Sequence, residues 1–230
     1  MGISPWDAAE PPGDDALARL TLDGFWQGAR LLLAEGAETP GSPLRKPVLS
    51  TVDADGAPRA RTVILRRFDP EDRRIEIYTD ARSAKAGELG VRPVAAFTFY
   101  DPRREIQLRL SGRAALHTDD EYAERAWRTL GPRNMADYMA RAVPGTPDSG
   151  ASGPSPDTAM AAGEGDEARR AAAKTNFAVL AFTYDRLDML VLGRATHRRA
   201  LFRWTTSPAS TPDGATSNLA APDGAVWLVS

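Results

Sequence analysis

Hydroxyl and cationic side chains are concentrated in the segment from Tyr78 to Lys85, where a predicted β-strand runs into a short helix. Ser83 is suited to cap the N-terminus of that helix, and backbone N–H groups without intrahelical partners lie just beyond it. The positive end of the helix dipole, together with Arg82 and Lys85, favours a bound anion and a phosphate above all. An ordinary capped helix with surface charges is the alternative interpretation.

A second segment, Arg61–Arg66, has an arginine at each end and mostly apolar residues between them. In a continuous strand, odd-numbered residues point to one face and even-numbered residues to the other. The segment is therefore predicted to place one cation on each face of a sheet. The alternative is a solvated edge strand whose arginines extend into water.

Two further groups lie on predicted strands. Gln107 shares a face with Arg109 and Ser111, and its amide offers both a donor and an acceptor, which suits the edge of a flavin ring. His197 and Arg199 form a cationic group that is able to hold an anion or reach a cofactor. The alternatives are the polar face of an amphipathic strand for Gln107 and a surface histidine for His197.

Composition excludes several classes of function. The chain has 230 residues, a formal net charge of -2, no cysteine and two histidines. These values argue against a disulfide framework, a thiolate or multi-histidine metal site and a cysteine nucleophile. The basic residues form no stripe for nucleic acid, and no apolar run is long enough to cross a membrane. The acidic, proline-rich start is unlike a signal peptide, so we expect a cytoplasmic protein.

The remaining pattern predicts short strands joined by tight turns, with a few helices between them. Helices are expected at 16–35 (ending at Gly36), 83–89, from a capping box at 118–121 through Trp127, and at 134–143. Strands are expected at 48–52, 60–68, 75–79, 94–100, 106–116, 177–184, 189–192, 201–204 and 226–229. Residues 145–172 are predicted to be a flexible linker, with a helical turn or two at 167–174. Such serial hairpins favour an antiparallel barrel or sandwich.

Taken in order, these groups resemble the FMN-binding pattern of the pyridoxamine 5'-phosphate oxidase superfamily. The resemblance is close from Pro47 to Gly131 and looser from Phe177 to Trp204. It implies one mainly β domain with flanking helices (α+β) over residues 1–230, an antiparallel split β-barrel of the FMN-binding type. It also implies a homodimer with FMN at the subunit interface.

The resemblance assigns roles to individual residues. Arg61 and Lys85 would contact the FMN phosphate with Ser83 and Arg82 nearby, and Gln107 would reach the ring from the second subunit. The full set of implied cofactor-binding residues is Arg61, Thr62, Val63, Ile64, Leu65, Arg66, Tyr78, Thr79, Arg82, Ser83, Lys85, Gln107 and Arg199. Arg133 and His197 are the candidates for substrate binding, and no residue is assigned as catalytic.

The chain also departs from the oxidases of that family. They carry a tryptophan in the segment that corresponds to Asp188–Leu190 and a Gln-Ser pair at Pro144–Gly145, and both are missing here. In the stretch that holds the vitamin phosphate, only Arg133 has a counterpart.

We therefore expect an FMN-dependent oxidoreductase that transfers a hydride through flavin N5. Its small-molecule substrate would be pyridoxamine 5'-phosphate, another amine or a nicotinamide-reduced quinone-like compound. The alternatives are a non-catalytic FMN-binding or redox-sensing protein and a heme-handling relative of the same fold.

Overall fold

The computed structural model describes Trp6 and residues 10–139, 143–147, 166–205 and 221–229. The helices are α1 (Asp14–Arg19), α2 (Leu22–Glu38), α3 (Ala84–Val91), α4 (Glu121–Thr129), α5 (Pro132–Ala136) and α6 (Asp166–Asn176), with a 3₁₀ turn at Pro43–Arg45. The strands are β1 (Val48–Val52), β2 (Pro58–Thr62), β3 (Leu65–Asp69), β4 (Arg74–Asp80), β5 (Val94–Asp101), β6 (Ile106–His117), β7 (Phe177–Leu192), β8 (His197–Arg203) and β9 (Gly224–Leu228).

These strands form a sheet in the order β2-β1-β5-β6-β7-β4-β3, with β8 paired to β7 and β9 paired to β8. Each strand pair of defined register is antiparallel. The path does not return to its first strand, so the sheet of the described residues is not closed. The predicted class, mainly antiparallel β with flanking helices, is confirmed.

The chain groups into two compact units. The first unit comprises Met1–Ile77, Val94–Ala114 and Phe182–Ser230, and the second comprises Tyr78–Pro93 and Ala115–Ala181. The single domain over residues 1–230 stays a prediction. Among the described residues, no helix combines the length and the apolar character needed to cross a membrane.

Each unit has its own buried apolar residues. In the first unit, Phe97 and Phe182 are fully buried, and their ring centroids lie 4.8 Å apart. In the second unit, Phe177 is fully buried and meets the rings of Trp127 and Tyr138 at 5.3 and 5.0 Å. This second cluster joins α4 and α6 to the start of β7 and thereby supports the end of β4.

The predicted helix at 16–35 is wrong in two respects. Helix α1 ends before Leu20, and α2 begins after Thr21, whose hydroxyl accepts a hydrogen bond from Gly24 N at 3.1 Å. Gly36 does not end the helix but lies within α2. A Cβ on Gly36 would lie 3.0 Å from the carbonyl oxygen of Leu44, so the glycine permits a close approach between two segments.

Other boundaries also differ from the prediction. The pattern predicted separate strands at 177–184 and 189–192, but β7 is continuous because β8 pairs with it from Arg186 to Leu192. Helix α6 is longer than the one or two turns expected. Helix α5 ends at Ala136, short of the predicted 143, although residues 140–142 lie outside the described part. Most of the predicted flexible linker, 148–165, is also outside it.

The capping box at 118–121 is wrong, because Asp120 rather than Thr118 is the N-cap of α4. Asp120 Oδ1 accepts a hydrogen bond from Ala123 N at 3.1 Å, and Oδ2 lies 2.5 Å from His117 Nδ1. Partial desolvation opposes ionisation of Asp120. The bonds from His117 and the backbone outweigh it and hold the pKa of Asp120 below its usual value.

We expect Asp120→Ala to lower the free energy of unfolding by about 1 kcal/mol, the usual loss for an N-cap. Thr118→Ala, the matched control at the N-cap position of the predicted box, should change it by less than about 0.5 kcal/mol. Urea unfolding at pH 7 measures both. Because the folded pKa is depressed, the contribution of Asp120 is present at neutral pH and is lost as the pH falls through that pKa. Equal losses in the two variants would contradict the assignment of the cap.

Candidate functional site

Two buried hydroxyl groups and one ammonium group lie together where β4 ends and α3 begins, within the second unit. We call Thr79, Ser83 and Lys85 the hydroxyl–ammonium cluster. Thr79 Oγ1 lies 3.1 Å from Ser83 Oγ and accepts a hydrogen bond from Lys85 Nζ at 2.9 Å. Thr79 and Ser83 are 4% and 6% exposed. The strand end and the helix start thus bring together three of the predicted phosphate-site residues.

The N-terminus of α3 lies in this cluster. Ser83 occupies the N-cap position, but its side chain accepts no capping hydrogen bond. It points to Thr79 Oγ1 instead. The first turn of α3 therefore has no side-chain cap. Ala86 N and Gly87 N donate to the carbonyl oxygen of Ser83 at 2.9 and 3.3 Å. Ala84 N at the start of the helix is therefore the backbone donor suited to an acceptor from outside the chain. An anion placed there would meet a backbone donor, a hydroxyl group and an ammonium group together.

Arg82 is held by the carboxylate that precedes it. Asp80 Oδ1 accepts hydrogen bonds from Arg82 N at 2.8 Å and Arg82 Nε at 3.0 Å, and Asp80 Oδ2 accepts one from Nη2 at 2.6 Å. Asp80 is only 7% exposed, and its hydrogen bond raises the pKa of Arg82. The two charges balance each other, so Lys85 supplies the excess positive charge of this segment.

The segment Arg61–Arg66, in the first unit, is not the continuous strand that its pattern predicted. Strand β2 ends at Thr62, and β3 begins at Leu65. Val63 N donates a hydrogen bond at 2.9 Å to the carbonyl oxygen of Pro47, which precedes β1. The predicted continuous strand is therefore wrong, because residues 63 and 64 form a break between two strands. Burial nevertheless alternates through the break, since Thr62 is exposed like Ile64, on the opposite side from the buried Val63.

The side chains of this segment have different surroundings. Arg61 lies opposite Leu49 of β1 and donates a hydrogen bond to Thr51 Oγ1. Val63 and Leu65 are buried, whereas Ile64 is exposed. The register of β3 against β4 shifts between Leu65 and Arg67, which places Arg66 at a β-bulge.

A bulge turns a side chain away from the direction that regular alternation gives it, and bulges are frequent beside functional sites. Arg66 is therefore outside the regular pairing of β3 with β4, which sequence alternation could not predict.

On β6, the half-buried Gln107 lies opposite the exposed Tyr100 of β5, and Arg109 lies opposite Thr98. Residues 107 and 109 share the predicted polar face, since residues 106, 108 and 110 are buried. This part of the pattern is confirmed.

Arg199 lies on β8 opposite Leu190 of β7 and is bound by a carboxylate that the sequence pattern did not single out. Its Nε and Nη2 donate to Asp188 Oδ1 and Oδ2 at 2.9 and 2.8 Å, and Arg109 Nη2 donates to Asp188 Oδ2 at 2.6 Å. Burial of Asp188 favours its neutral form, but the two guanidinium groups outweigh it and hold its pKa below the usual value. The sequence marks Asp188 only as an acidic residue inside a largely apolar strand and does not indicate its two partners.

The other predicted residues have different surroundings. Tyr78 packs edge-on against Phe177, with ring centroids 5.3 Å apart, so its ring belongs to the apolar cluster of the second unit. His197 is exposed at the start of β8, opposite Leu192. Arg133 lies in α5, and its side chain is outside the described part.

Comparison with known proteins identifies the family. A family model described as pyridoxamine 5'-phosphate oxidase matches residues 46–169, which is more than half of the chain. The chain belongs to the pyridoxamine 5'-phosphate oxidase family. The matched range includes the break, the bulge, the hydroxyl–ammonium cluster and Gln107.

The chain spans about half or less of the length of the curated relatives that it matches. A pyridoxine/pyridoxamine 5'-phosphate oxidase of Cupriavidus taiwanensis is 42% identical over 100 residues, which cover 42% of this chain and 46% of the relative. The enzyme of the same name from Pseudomonas entomophila is 37% identical over 100 residues, which cover 39% of this chain and 46% of the relative.

Solved structures show the split-barrel fold of the oxidase family. A pyridoxamine 5'-phosphate oxidase-related, FMN binding protein from Nostoc punctiforme is 24% identical, with a TM-score of 0.59, over 77% of this chain and 90% of its own. PhzG from Burkholderia lata, solved with tetrahydrophenazine-1-carboxylic acid, is 16% identical, with a TM-score of 0.55, over 89% of this chain and 92% of its own. At these identities the likeness concerns the fold alone.

The residues in place fit the phosphate group of FMN, the cofactor that the oxidase family implies. The start of α3 and the buried hydroxyl of Ser83 offer neutral donors, and Lys85, which Thr79 Oγ1 holds in place, offers a cation. Backbone donors, hydroxyls and ammonium groups are the usual ligands of phosphate in proteins.

Proposed function

We propose that this chain binds FMN and is a flavin-dependent oxidoreductase. The observation that carries the proposal is the hydroxyl–ammonium cluster at the uncapped N-terminus of α3. Membership of the pyridoxamine 5'-phosphate oxidase family supports a flavin-related oxidoreductase function independently of that geometry.

The phosphate group would be held by Lys85, Ser83 and Thr79, with Arg61 as the second cation that the resemblance assigns to it. Arg82 would act through Asp80, which it already contacts, and would thereby stiffen the turn before α3. The backbone of Val63–Arg66 would face the pyrimidine edge of the flavin. The remaining cofactor contacts would come from Thr62, Tyr78, Gln107 and Arg199.

FMN, when bound, would accept or donate a hydride at N5. The chain's own contribution would be to bind and orient the cofactor and to set the charge around it. Positive charge from Arg66 or Arg199 at the pyrimidine edge would favour an anionic reduced form. No side chain of the described residues is needed as an acid or base for hydride transfer.

A homodimer is part of the proposal, with Gln107 reaching the FMN of the partner subunit. Three exposed apolar side chains support this arrangement, those of Val48, Val94 and Tyr100. They lie on the face of β1 and β5 that continues the face of Gln107, and each is at least 37% exposed. Covering these apolar side chains by a second copy of the chain would remove them from water.

Pyridoxamine 5'-phosphate is the first substrate to test, since the curated relatives are named for it. Leu190, which is half-buried, stands in the segment where the family's oxidases have a tryptophan. This departure favours a different electron donor, such as another amine or a reduced nicotinamide, as the second candidate.

We expect the purified protein to show flavin absorption bands, or to acquire them on titration with FMN to one equivalent per chain. Addition of pyridoxamine 5'-phosphate in air then tests turnover through formation of pyridoxal 5'-phosphate. Flavin bands without that product would retain the cofactor and direct the search to other donors. Absence of binding at excess FMN would refute the proposal, and a Soret band would support the heme-handling alternative.

A further inference from the structure

A buried carboxylate in the first unit lies between two guanidinium groups. Asp188 is 4% exposed, while the side chains of Arg109 and Arg199 are 45% and 27% exposed. Arg199 uses Nε and Nη2 to contact both oxygens of Asp188. This two-point contact fixes the plane of its guanidinium group as well as its distance, which a single contact does not.

Arg109 contributes the second half of the arrangement. Its Nη2 donates to Asp188 Oδ2, the same oxygen that accepts a hydrogen bond from Arg199 Nη2. Arg109 and Asp188 are 79 residues apart in the sequence. The carboxylate is buried beneath its two cations, whose outer parts remain accessible. One carboxylate balances only one of the two guanidinium groups, so this group of three side chains has an excess positive charge.

Stability alone is a weak reason for such an arrangement. Removing a carboxylate from water is costly, and apolar residues of similar volume often stabilise a fold as well or better. What the charged group provides, and an apolar group cannot, is a cation with a defined direction.

We infer that Asp188 is a positioning residue that orients the Arg199 guanidinium toward the flavin, with Arg109 holding the second side of the carboxylate. The inference rests on the proposed function, which assigns Arg199 to the flavin. Asp188 itself makes no contact with the cofactor in this account and acts only through Arg199.

A double-mutant cycle on FMN affinity tests this inference. Asp188→Asn and Arg199→Met should each weaken FMN binding about tenfold, as expected for loss of one charge-assisted contact. The double variant should bind no more weakly than Arg199→Met alone, because Asp188 has nothing left to orient. Asp185→Asn, which changes an exposed carboxylate on the same strand, is the matched control and should bind as the wild type does.

Arg199→Lys provides a second test that leaves Asp188 in place. Lysine keeps the charge but cannot contact both carboxylate oxygens through a planar fork. We expect FMN binding about tenfold weaker than wild type.

Three results would overturn the inference while leaving the proposed function intact. The first is wild-type FMN affinity in Asp188→Asn, and the second is wild-type FMN affinity in Arg199→Lys. The third is an equal loss of FMN affinity on Asp188→Asn in the wild-type and Arg199→Met backgrounds. Failure of the wild type to bind FMN would overturn the proposed function and this inference with it.

Discussion

Arg61→Ala combined with Lys85→Ala is expected to abolish retention of FMN while the protein remains folded. In the proposed site, each substitution would remove a charge-assisted contact to phosphate, worth about 1.5–3 kcal/mol. Together they should raise the dissociation constant of FMN by about 10²- to 10⁴-fold. Flavin fluorescence titration measures the affinity, and circular dichroism checks the fold.

The chain offers a closely matched control. Arg59 lies on β2 with Arg61 and has an exposed side chain, and Arg92 lies at the opposite end of α3 from Lys85. Arg59→Ala with Arg92→Ala removes the same charge from the same two elements and should leave FMN affinity within a factor of about three, given the small effect of distant screened charges.

Riboflavin provides the control on the side of the ligand. It lacks the phosphate group, so the double variant should bind riboflavin as well as the wild type does. Equal losses for FMN and riboflavin would show that Arg61 and Lys85 do not contact the phosphate. Each single variant then separates the contribution of β2 from that of α3.

Gly112→Ala is expected to lower the free energy of unfolding by about 3 kcal/mol, the upper part of the usual range for overpacking. A Cβ on Gly112 of β6 would lie 2.1 Å from the carbonyl oxygen of Thr183 and 2.7 Å from Tyr184 Cα. Both atoms belong to the backbone of β7, so no side-chain rotation relieves the clash. The strands themselves would have to move apart.

Gly87→Ala is the control for Gly112→Ala. Gly87 lies inside α3, and a Cβ there would meet nothing within 4 Å. Alanine should stabilise the helix by about 0.5–1 kcal/mol, so the two glycine substitutions should have opposite signs. Urea unfolding measures both, and a loss below about 1 kcal/mol for Gly112→Ala would contradict the close approach of the two strands.

Local sequence patterns correctly predicted those strands and faces that are determined by residues close together in the sequence. Strand β1 has the predicted bounds because an alternating run is followed by a tight turn, in which Asp53 Oδ1 accepts hydrogen bonds from Asp55 N and Ala57 N. The polar face of β6 was likewise readable from alternation alone.

The incorrect predictions concern features that depend on contacts with residues elsewhere in the sequence. The break at Val63 depends on the carbonyl oxygen of Pro47, and Gly36 remains helical beside Leu44 of a separate segment. The pairing of Asp188 with two arginines is seen only in the structure, because β6 and β8 bring Arg109 and Arg199 to it. No local periodicity contains such information, so the sequence indicated the cations but not the carboxylate that contacts two of them.

The contact between Lys85 Nζ and Thr79 Oγ1 has a consequence for the rate and the entropy of binding. A free lysine side chain loses about 1.5–2 kcal/mol of rotamer freedom when it is fixed. Here that loss accompanies folding, since the ammonium group already rests on a buried hydroxyl. An incoming phosphate would therefore meet a preorganised cation, and association would require little rearrangement of the chain.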